Sequence, residues 1–266
     1  MKNRIIFFLL LLPCTLFAQQ NKKLLPVFME SDDGLTQFEL LYDDQNRMIL
    51  QKYRVVSPFD STMVYVTTKT LSYSGDSLIT VDYLHKINEM TADSSVSHIY
   101  CRNNALEVRT GPDYQAILIK NAKEQLIKTT FLRPSTSYEY NGDYKYDRAG
   151  NLSEFSTEMT AEYKSIHMLT NHKYFYPVKN DKKGVLSAVN SPDWLLHYIF
   201  NSICGFLNNA SSAELLTKYN DEDPKTEYLD MSYEYDEQGY PVVIKINNDK
   251  KDKEQMLRIV YTEAKR

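Results

Sequence analysis

The chain has 266 residues, of which 42% are hydrophobic and 25% are charged, and its formal net charge at pH 7 is −4. These values are ordinary for a globular protein, and they exclude a disordered chain, a collagen-like repeat and a polytopic helical membrane protein. The small acidic excess also argues against a nucleic-acid-binding protein, which needs a basic face. The unusual feature is that 21 tyrosines accompany one tryptophan and only 8 glycines.

Residues 1–18 have the order of a secretory signal peptide. Lys2 and Arg4 give a positive end, residues 5–12 are apolar, and Ala18 is a small residue before the expected cleavage point. The apolar run is too short to span a bilayer. We therefore predict an exported protein, located in the periplasm, at the cell surface or in the medium.

The cysteines leave two questions open at this stage. Cys14 could carry a lipid anchor, but it follows Pro13, where lipoprotein signals resemble one another in having a small residue, so cleavage after Ala18 is favoured. Cys101 and Cys204 remain in the mature chain, where they could pair or stay as buried thiols, because a chain of this length can bury an adequate core without a disulfide.

Alternation of apolar and polar side chains is the dominant pattern after the signal. Met231, Tyr233 and Tyr235 alternate with polar residues, and a period of two in a tyrosine- and valine-rich segment predicts a half-buried antiparallel strand. Similar alternation occurs at residues 37–42, 63–67 and 242–247.

Two near-identical segments predict tight hairpin turns: residues 146–151, Tyr-Asp-Arg-Ala-Gly-Asn, and residues 235–240, Tyr-Asp-Glu-Gln-Gly-Tyr. The Asp carboxylate can accept backbone N–H bonds, and the Gly three residues later can take the left-handed conformation. Residues 42–46 are a weaker copy in which Asn46 replaces the Gly. Gly142 is likewise predicted to lie in a turn. Related segments recur about every 20 to 30 residues, which indicates a repeated β-hairpin meander.

One segment breaks this pattern. Ser191, Pro192 and Asp193 form a typical helix start, and the apolar residues from Trp194 to Leu207 recur at helical spacing on nearly all sides. A helix that is apolar all round is buried. We therefore predict a mainly β fold with one domain after the signal, residues 19–266. In it a long antiparallel meander of hairpins forms a strongly curved or barrel-like sheet wrapped around one buried α-helix at about residues 192–208.

The order of these segments is similar to that of a known family. The Ser-Pro-Asp-Trp helix start at 191–194, Leu-Leu-Thr-Lys at 215–218 and the tyrosine-rich turn at 233–241 resemble the porin-like domain-of-unknown-function family common in exported envelope proteins of Bacteroides and its relatives. The resemblance is specific mainly between Pro192 and Ile246. It implies a strongly curved antiparallel sheet, and it implies no catalytic residues because the family has no established activity.

The sequence carries no recognisable catalytic or metal-binding motif. It has no His-Glu-x-x-His, Cys-x-x-Cys, Gly-x-Ser-x-Gly or phosphate-binding glycine loop. His167 and His172 are five residues apart in a strand-like segment, so they face opposite sides and cannot share a metal. Neighbouring acids such as Asp43 and Asp44 are typical of solvated turns. We therefore predict a protein that is not an enzyme and has no cofactor and no bound metal.

The aromatic residues suggest candidate binding sites. Tyrosine rings can form the core of a thin sheet, or they can stack on sugars and pack against acyl chains. The candidate ligand-lining residues are Trp194, Tyr198, Tyr233 and Tyr235.

Two tripeptides suggest a covalent modification. Asp-Ser-Thr at residues 60–62 and Asp-Ser-Leu at residues 76–78 resemble the acceptor of a periplasmic O-glycosylation system found in these bacteria. Ser61 and Ser77 are therefore predicted glycosylation sites.

Two functions stay open from the sequence. The first is a non-catalytic, exported cell-envelope binding or assembly protein, whose partner is a glycan, a lipid or another envelope protein. The alternative is a periplasmic carrier of a hydrophobic ligand, a lipid or acyl chain, in a half-barrel plugged by the helix. A carrier needs an unfilled apolar cavity, whereas an assembly module packs its helix tightly. An integral membrane barrel is disfavoured because charges occur on both faces of the strands.

Overall fold

The computed structural model describes residues 22–265, apart from residues 58–59, 76–77, 103–104, 111–113, 124, 134–137, 149–151, 164–165, 177–182, 201–206, 208, 221 and 251–253. The described residues form sixteen β-strands and one α-helix. The strands are β1 Leu24–Ser31, β2 Thr36–Tyr42, β3 Met48–Val56, β4 Val64–Ser74, β5 Leu78–Ile87, β6 Met90–Arg102, β7 Ala105–Thr110, β8 Tyr114–Lys120, β9 Leu126–Arg133, β10 Tyr138–Tyr146, β11 Leu152–Tyr163, β12 Ile166–Phe175, β13 Ser212–Tyr219, β14 Lys225–Tyr235, β15 Pro241–Asn248 and β16 Gln255–Glu263, and the helix is α1 Asp193–Phe200.

Several sequence predictions lie outside the described residues. They are the signal peptide with Cys14, the modification site Ser77, Cys204 as a partner of Cys101, and residues 149–151 of the turn predicted at 146–151. The last part of the predicted helix, residues 201–206 and 208, lies outside them as well.

All strands belong to one antiparallel sheet in which each strand pairs with its neighbours in sequence. Strand β1 pairs with β2 on one side and with β16 on the other, so the ring of pairings returns to its start. The predicted mainly β meander with a curved, barrel-like sheet is confirmed. The carrier alternative assumed a half-barrel, and the pairing of β1 with β16 completes the ring instead.

The up-and-down order of the strands gives the ring two ends. We call one the plugged end, because the connection between β12 and β13 begins and ends there, and its described residues 183–200 include α1. We call the other the open end. The turns at residues 43–47, 121–125 and 236–240 lie at the plugged end, and those at 32–35, 57–63 and 88–89 lie at the open end.

The predicted turns have the expected hydrogen bonds. Oδ1 of Asp236 accepts two backbone N–H bonds, of 2.9 and 2.8 Å, and Gly239 has a φ of +82°. Oδ1 of Asp43 likewise accepts two bonds of 2.9 Å, and Asn46 takes the left-handed conformation with a φ of +60°. The turns at residues 235–240 and 42–46 are confirmed, including the use of Asn46 in place of Gly.

Tyrosine hydroxyls join neighbouring strands at the plugged end. The Tyr146 hydroxyl of β10 donates to the carbonyl of Leu126 (2.9 Å), at a register shift between β8 and β9. Burial raises the pKa of Tyr42 and of Tyr261, so these hydroxyls keep the proton that they donate. The equivalent bonds between neighbouring strands are Tyr42 to Pro26 (2.7 Å), Tyr73 to Met48 (2.7 Å) and Tyr261 to Pro241 (2.8 Å). The Tyr233 hydroxyl of β14 donates instead to the carbonyl of Ala210 (2.8 Å), in the connection before β13.

The Tyr146→Phe variant should lose about 1 kcal/mol of unfolding free energy, since the substitution removes one hydroxyl and leaves the Leu126 carbonyl without this donor. Tyr228→Phe is the matched control, because the Tyr228 side chain is 55% exposed on the outer face of β14. Urea denaturation of both variants measures the difference. Equal stabilities of the two variants would contradict a structural role for the Tyr146 hydroxyl.

The turn predicted at Gly142 is wrong. Gly142 lies in the middle of β10, paired with Thr129 and Thr157, and a Cβ there would come within 2.4 Å of the Thr129 Oγ1. The glycine therefore provides room between inward-facing side chains. Its polar neighbours Asn141 and Asp143, which suggested a turn, belong to the outer face of the strand.

Helix α1 is enclosed by the ring. Its Trp194, Leu195 and Ile199 side chains are 3%, 0% and 1% exposed, which confirms the predicted buried helix. The connection that carries it is also tied to the turns of the plugged end, through the backbone N–H of Asn190 to the Asn46 carbonyl (2.9 Å).

Candidate functional site

The interior of the ring changes from buried to half-buried along its length. On β5, Ile79 and Val81 near the plugged end are buried, whereas Tyr83 and His85 nearer the open end are half-buried. Sixteen strands enclose more space than side chains alone can fill. We call the half-buried part of the interior the cup. The same change occurs from Met48 to Tyr53, from Leu71 to Thr67, from Tyr174 to His172, from Ala213 to Leu215 and from Ile244 to Ile246.

Helix α1 forms the floor of the cup. At its start, the Oγ of Ser191 accepts the backbone N–H of Met48 (3.0 Å) and lies 3.1 Å from the Tyr73 hydroxyl, both at the plugged end. At its other end, the Nζ of Lys69, in the middle of β4, donates to the carbonyl of Ile199. The described part of the helix, Asp193–Phe200, therefore extends from the plugged end to the middle of β4.

One side of the helix is packed against β6 and β9. The Tyr198 ring lies 5.8 Å from the Phe131 ring, and its hydroxyl is 3.4 Å from the Oγ of Ser97. Ala116 and Phe131 are consequently buried although they lie in the half of the ring nearer the open end. The half-buried part of the interior therefore extends further toward the plugged end beside β3–β5 and β12–β15, which we call the deep side of the cup, than beside β8–β10.

His197 occupies an aromatic pocket in this packed region. Its ring is 4.7 Å from Tyr144 in an edge contact and 5.8 Å from Phe155, and its Nδ1 has no hydrogen-bond partner among the described residues. Burial lowers the pKa of His197 to about 4. At neutral pH this histidine is an uncharged core residue, which fits packing rather than proton transfer.

Strands β3, β4 and β5 give the deep side of the cup a polar wall. Their inward-facing residues are opposite one another in register, because the strands pair without a shift over this stretch. Within the wall, the Oγ1 of Thr67 lies 3.0 Å from the Nδ1 of His85. We define the polar wall as one row of Gln51, Lys69 and Tyr83 and a second row, nearer the open end, of Tyr53, Thr67 and His85.

Lys69 is the cation of the polar wall. Its side chain is half-buried and desolvated, and burial lowers the pKa of Lys69 to about 8, so the ammonium is still protonated at neutral pH. No carboxylate of the described residues lies within 4.0 Å of it. Beside it, Gln51 is 3% exposed and its Oε1 has no hydrogen-bond partner in the described part of the chain.

The opposite wall, on β12–β15, mixes polar and apolar residues. The Nδ2 of Asn248 donates to the Oε2 of Glu227 (2.6 Å), and Leu215 and Ile246 lie beside this pair on the same inner face. Burial lowers the pKa of His172 on β12. The cup therefore offers hydroxyl, imidazole, ammonium and carboxylate groups together with apolar surface.

The four predicted ligand-lining residues do not lie together. Trp194 is in the core, and Tyr198 packs on β6 and β9. Tyr233 and Tyr235 lie near the plugged end of β14 with ring centroids 6.1 Å apart, and the hydroxyl of Tyr233 is bonded to the carbonyl of Ala210. Their role as ligand contacts stays a prediction.

The predicted modification site Ser61 is exposed in the loop between β3 and β4, at the open end. It lies between Asp60, whose Oδ1 accepts the backbone N–H of Thr62 (2.9 Å), and Thr62 itself. Its glycosylation stays a prediction.

Sequence reasoning missed the polar wall. In the segment 63–67, Val64 and Val66 look like the buried face of a strand, yet register places Tyr65, Thr67 and Lys69 on the inner face. The sequence does show that the face of the strand that carries Tyr65 continues with Thr67 and Lys69, and this pattern could have indicated a polar inner face.

Comparison with known proteins gives a likeness of fold. The chain is similar to porin-like proteins of Bacteroides. A crystal structure of a porin-like protein from Bacteroides uniformis matches at 10% identity, covering 80% of this chain and 96% of that chain, with a TM-score of 0.38. One from Bacteroides vulgatus matches at 14% identity, covering 89% and 98%, with a TM-score of 0.42. No family model and no curated protein matches the chain.

These two structures have the same porin-like description as the family that the sequence resembles, and membership of that family stays a prediction. At this similarity they indicate neither a ligand nor an activity. Within the described residues, no helix is long and apolar enough to cross a membrane. No group of three or more His, Cys, Asp or Glu side chains in the described part could hold a metal ion.

Proposed function

We propose that the protein is a non-catalytic, exported binding protein of the cell envelope that takes a ligand into the cup. The observation that carries this proposal is the change from buried to half-buried inward residues along the ring, which leaves the described inner side chains nearer the open end partly accessible. Concave sites that combine apolar surface with a few convergent polar groups are typical of ligand binding. Because α1 and its connection occupy the plugged end, a ligand would enter and leave at the open end.

The outer face supports a location in water rather than in lipid. It carries ion pairs between neighbouring strands, and a lipid-facing wall would need a continuous apolar band. We therefore propose that the protein works in the periplasm or at the cell surface without being embedded in a membrane. The outer ion pairs are Lys52 with Glu39 (3.1 Å), Lys145 with Glu154 (2.8 Å) and Lys245 with Glu234 (2.5 Å).

The second candidate is the carrier of a lipid or acyl chain. It is favoured by the half-buried Leu215, Ile246 and Leu257, which give one wall of the cup an apolar surface. The polar wall favours the first proposal, because its hydroxyl and imidazole groups suit a ligand with hydrogen-bonding groups, such as a glycan.

A pair of adjacent threonines on β4 allows a matched test. Thr67 faces the cup and Thr68 faces outward. We expect the purified protein to retain a molecule in native mass spectrometry or to bind on a glycan array, and we expect Thr67→Trp to abolish this binding by filling the cup. Thr68→Trp adds the same bulk outside and should bind normally. The absence of any bound molecule, or binding that is indifferent to Thr67→Trp, would refute the proposal.

A further inference from the structure

The ammonium of Lys69 is costly where it lies. A charged group that is removed from water destabilises a fold unless it is paired and hydrogen-bonded. Its hydrogen-bond partner among the described residues is the carbonyl of Ile199, a neutral acceptor, which leaves two of the three ammonium donors for other partners. The nearest inner neighbours in register, Gln51 and Tyr83, carry no negative charge.

Gln51 adds a second unused polar group at the same place. It is directly opposite Lys69 in the antiparallel pair of β3 and β4, so the two Cβ atoms are about 5 Å apart on the inner face. Gln51 is almost completely buried, and its Oε1 has no hydrogen-bond partner among the described residues. This oxygen is an acceptor, so it adds polarity beside Lys69 but leaves the ammonium as the group that can hold an anion.

The way from the open end to this pair is lined by polar groups. Thr67 and His85 are one row nearer the open end, both half-buried. The carboxylate on the opposite wall, Glu227, already accepts a hydrogen bond from Asn248 and belongs to a different part of the ring. Lys69 therefore lies at the inner end of a polar path and supplies a positive charge there.

We propose that Lys69 binds the carboxylate of an organic acid that enters the cup from the open end. The ammonium has two N–H groups that the Ile199 carbonyl does not use, and they donate charge-assisted hydrogen bonds to the carboxylate in a place with little competing water. This inference rests on the proposed function and names the group by which the ligand is held. The acid can be an acyl chain or an acidic sugar, since both carry the same carboxylate.

Lys69 could instead serve only to bind the Ile199 carbonyl, and a conservative variant distinguishes the two roles. Lys69→Gln keeps an N–H donor for that carbonyl but removes the charge. Lys52→Gln is the matched control, because Lys52 is on the neighbouring strand and faces outward toward Glu39. Thermal unfolding of all variants shows whether the fold is intact.

The test uses isothermal titration of the purified protein with octanoate and octan-1-ol, and with glucuronate and glucose. We expect at least one acid to bind about tenfold more tightly than its neutral counterpart, and we expect Lys69→Gln, but not Lys52→Gln, to remove that preference. The acid that binds identifies the source of the carboxylate. Equal binding of acids and neutral counterparts, no binding of either acid, or an unchanged preference in Lys69→Gln would overturn the inference.

The two proposals can fail separately. Retention of a glycan or another molecule that is blocked by Thr67→Trp, together with binding that is indifferent to Lys69→Gln, would leave the cup as the binding site and remove the carboxylate role of Lys69. Absence of any retained molecule would remove both.

Discussion

Replacing Phe155 with alanine is expected to lower the free energy of unfolding by about 3–5 kcal/mol, the usual cost of removing a fully buried aromatic side chain. Phe155, on β11, is 0% exposed. Its ring stacks on Tyr144 of β10 at 4.5 Å and lies 5.9 Å from Tyr174 of β12 and 5.8 Å from His197 of α1. Its loss leaves a cavity where three strands meet the helix, and the rigid neighbours cannot close it.

Urea denaturation followed by tryptophan fluorescence measures this loss, because the single tryptophan, Trp194, lies on α1. Phe155→Leu should recover most of the stability, since it refills most of the volume. Val260→Ala, at a side chain that is 53% exposed on the outer face, should change the unfolding free energy by less than about 0.5 kcal/mol. A cost below about 1 kcal/mol for Phe155→Ala would mean that α1 does not pack on β10–β12.

The local features of this fold could be predicted from the sequence because a few adjacent residues determine them. The turn at residues 235–240 depends on the Asp236 carboxylate and on the positive φ of Gly239, and both are visible in six letters. The helix start at Ser191 and the apolar residues from Trp194 are equally local. The error at Gly142 has the same origin, since a polar-flanked glycine looks like a turn unless the close neighbour, Thr129, is known.

Closure of the ring and the existence of the cup could not be predicted in this way. Closure depends on the pairing of Leu24 with Glu263, residues at opposite ends of the described chain. The extent of the cup depends on how far α1 reaches into the ring. That reach determines which inward residues are buried, as Leu71 is, and which are half-buried, as Thr67 is. In a wide ring, the rule that inward-facing residues are apolar does not hold throughout. Polar residues can face inward wherever the helix does not fill the space.

The tyrosine count also has a structural explanation that the sequence left open. At the plugged end, hydroxyls of the set that includes Tyr42, Tyr146 and Tyr261 bond to carbonyls of the preceding strand. These tyrosines therefore belong to the wall of the ring, and their hydroxyls join its neighbouring strands. The tyrosines of the polar wall, Tyr53 and Tyr83, are half-buried on the inner face, whereas the hydroxyl of the predicted ligand contact Tyr233 is bonded to the carbonyl of Ala210.

Acid is expected to destabilise the protein between about pH 6.5 and pH 4, and His197 is expected to contribute about 3 kcal/mol of this effect. Burial lowers the pKa of His197 to about 4 in the fold, compared with an ordinary value of 6.5. Between these values the unfolded chain binds more protons than the folded one. The contribution of His197 is therefore complete above pH 6.5 and is lost progressively as the pH falls toward 4.

The His197→Phe variant keeps an aromatic ring between Tyr144 and Phe155 and removes the titrating group. Its unfolding free energy should depend less steeply on pH between 6.5 and 4 than that of the wild type, with a residual slope because burial also lowers the pKa of His172. His98→Phe, at an exposed position on β6, is the control for replacing a histidine with phenylalanine outside the core. Urea denaturation at several pH values gives the comparison. Equal slopes for His197→Phe and the wild type would show that His197 titrates normally and that the helix is not buried in the ring.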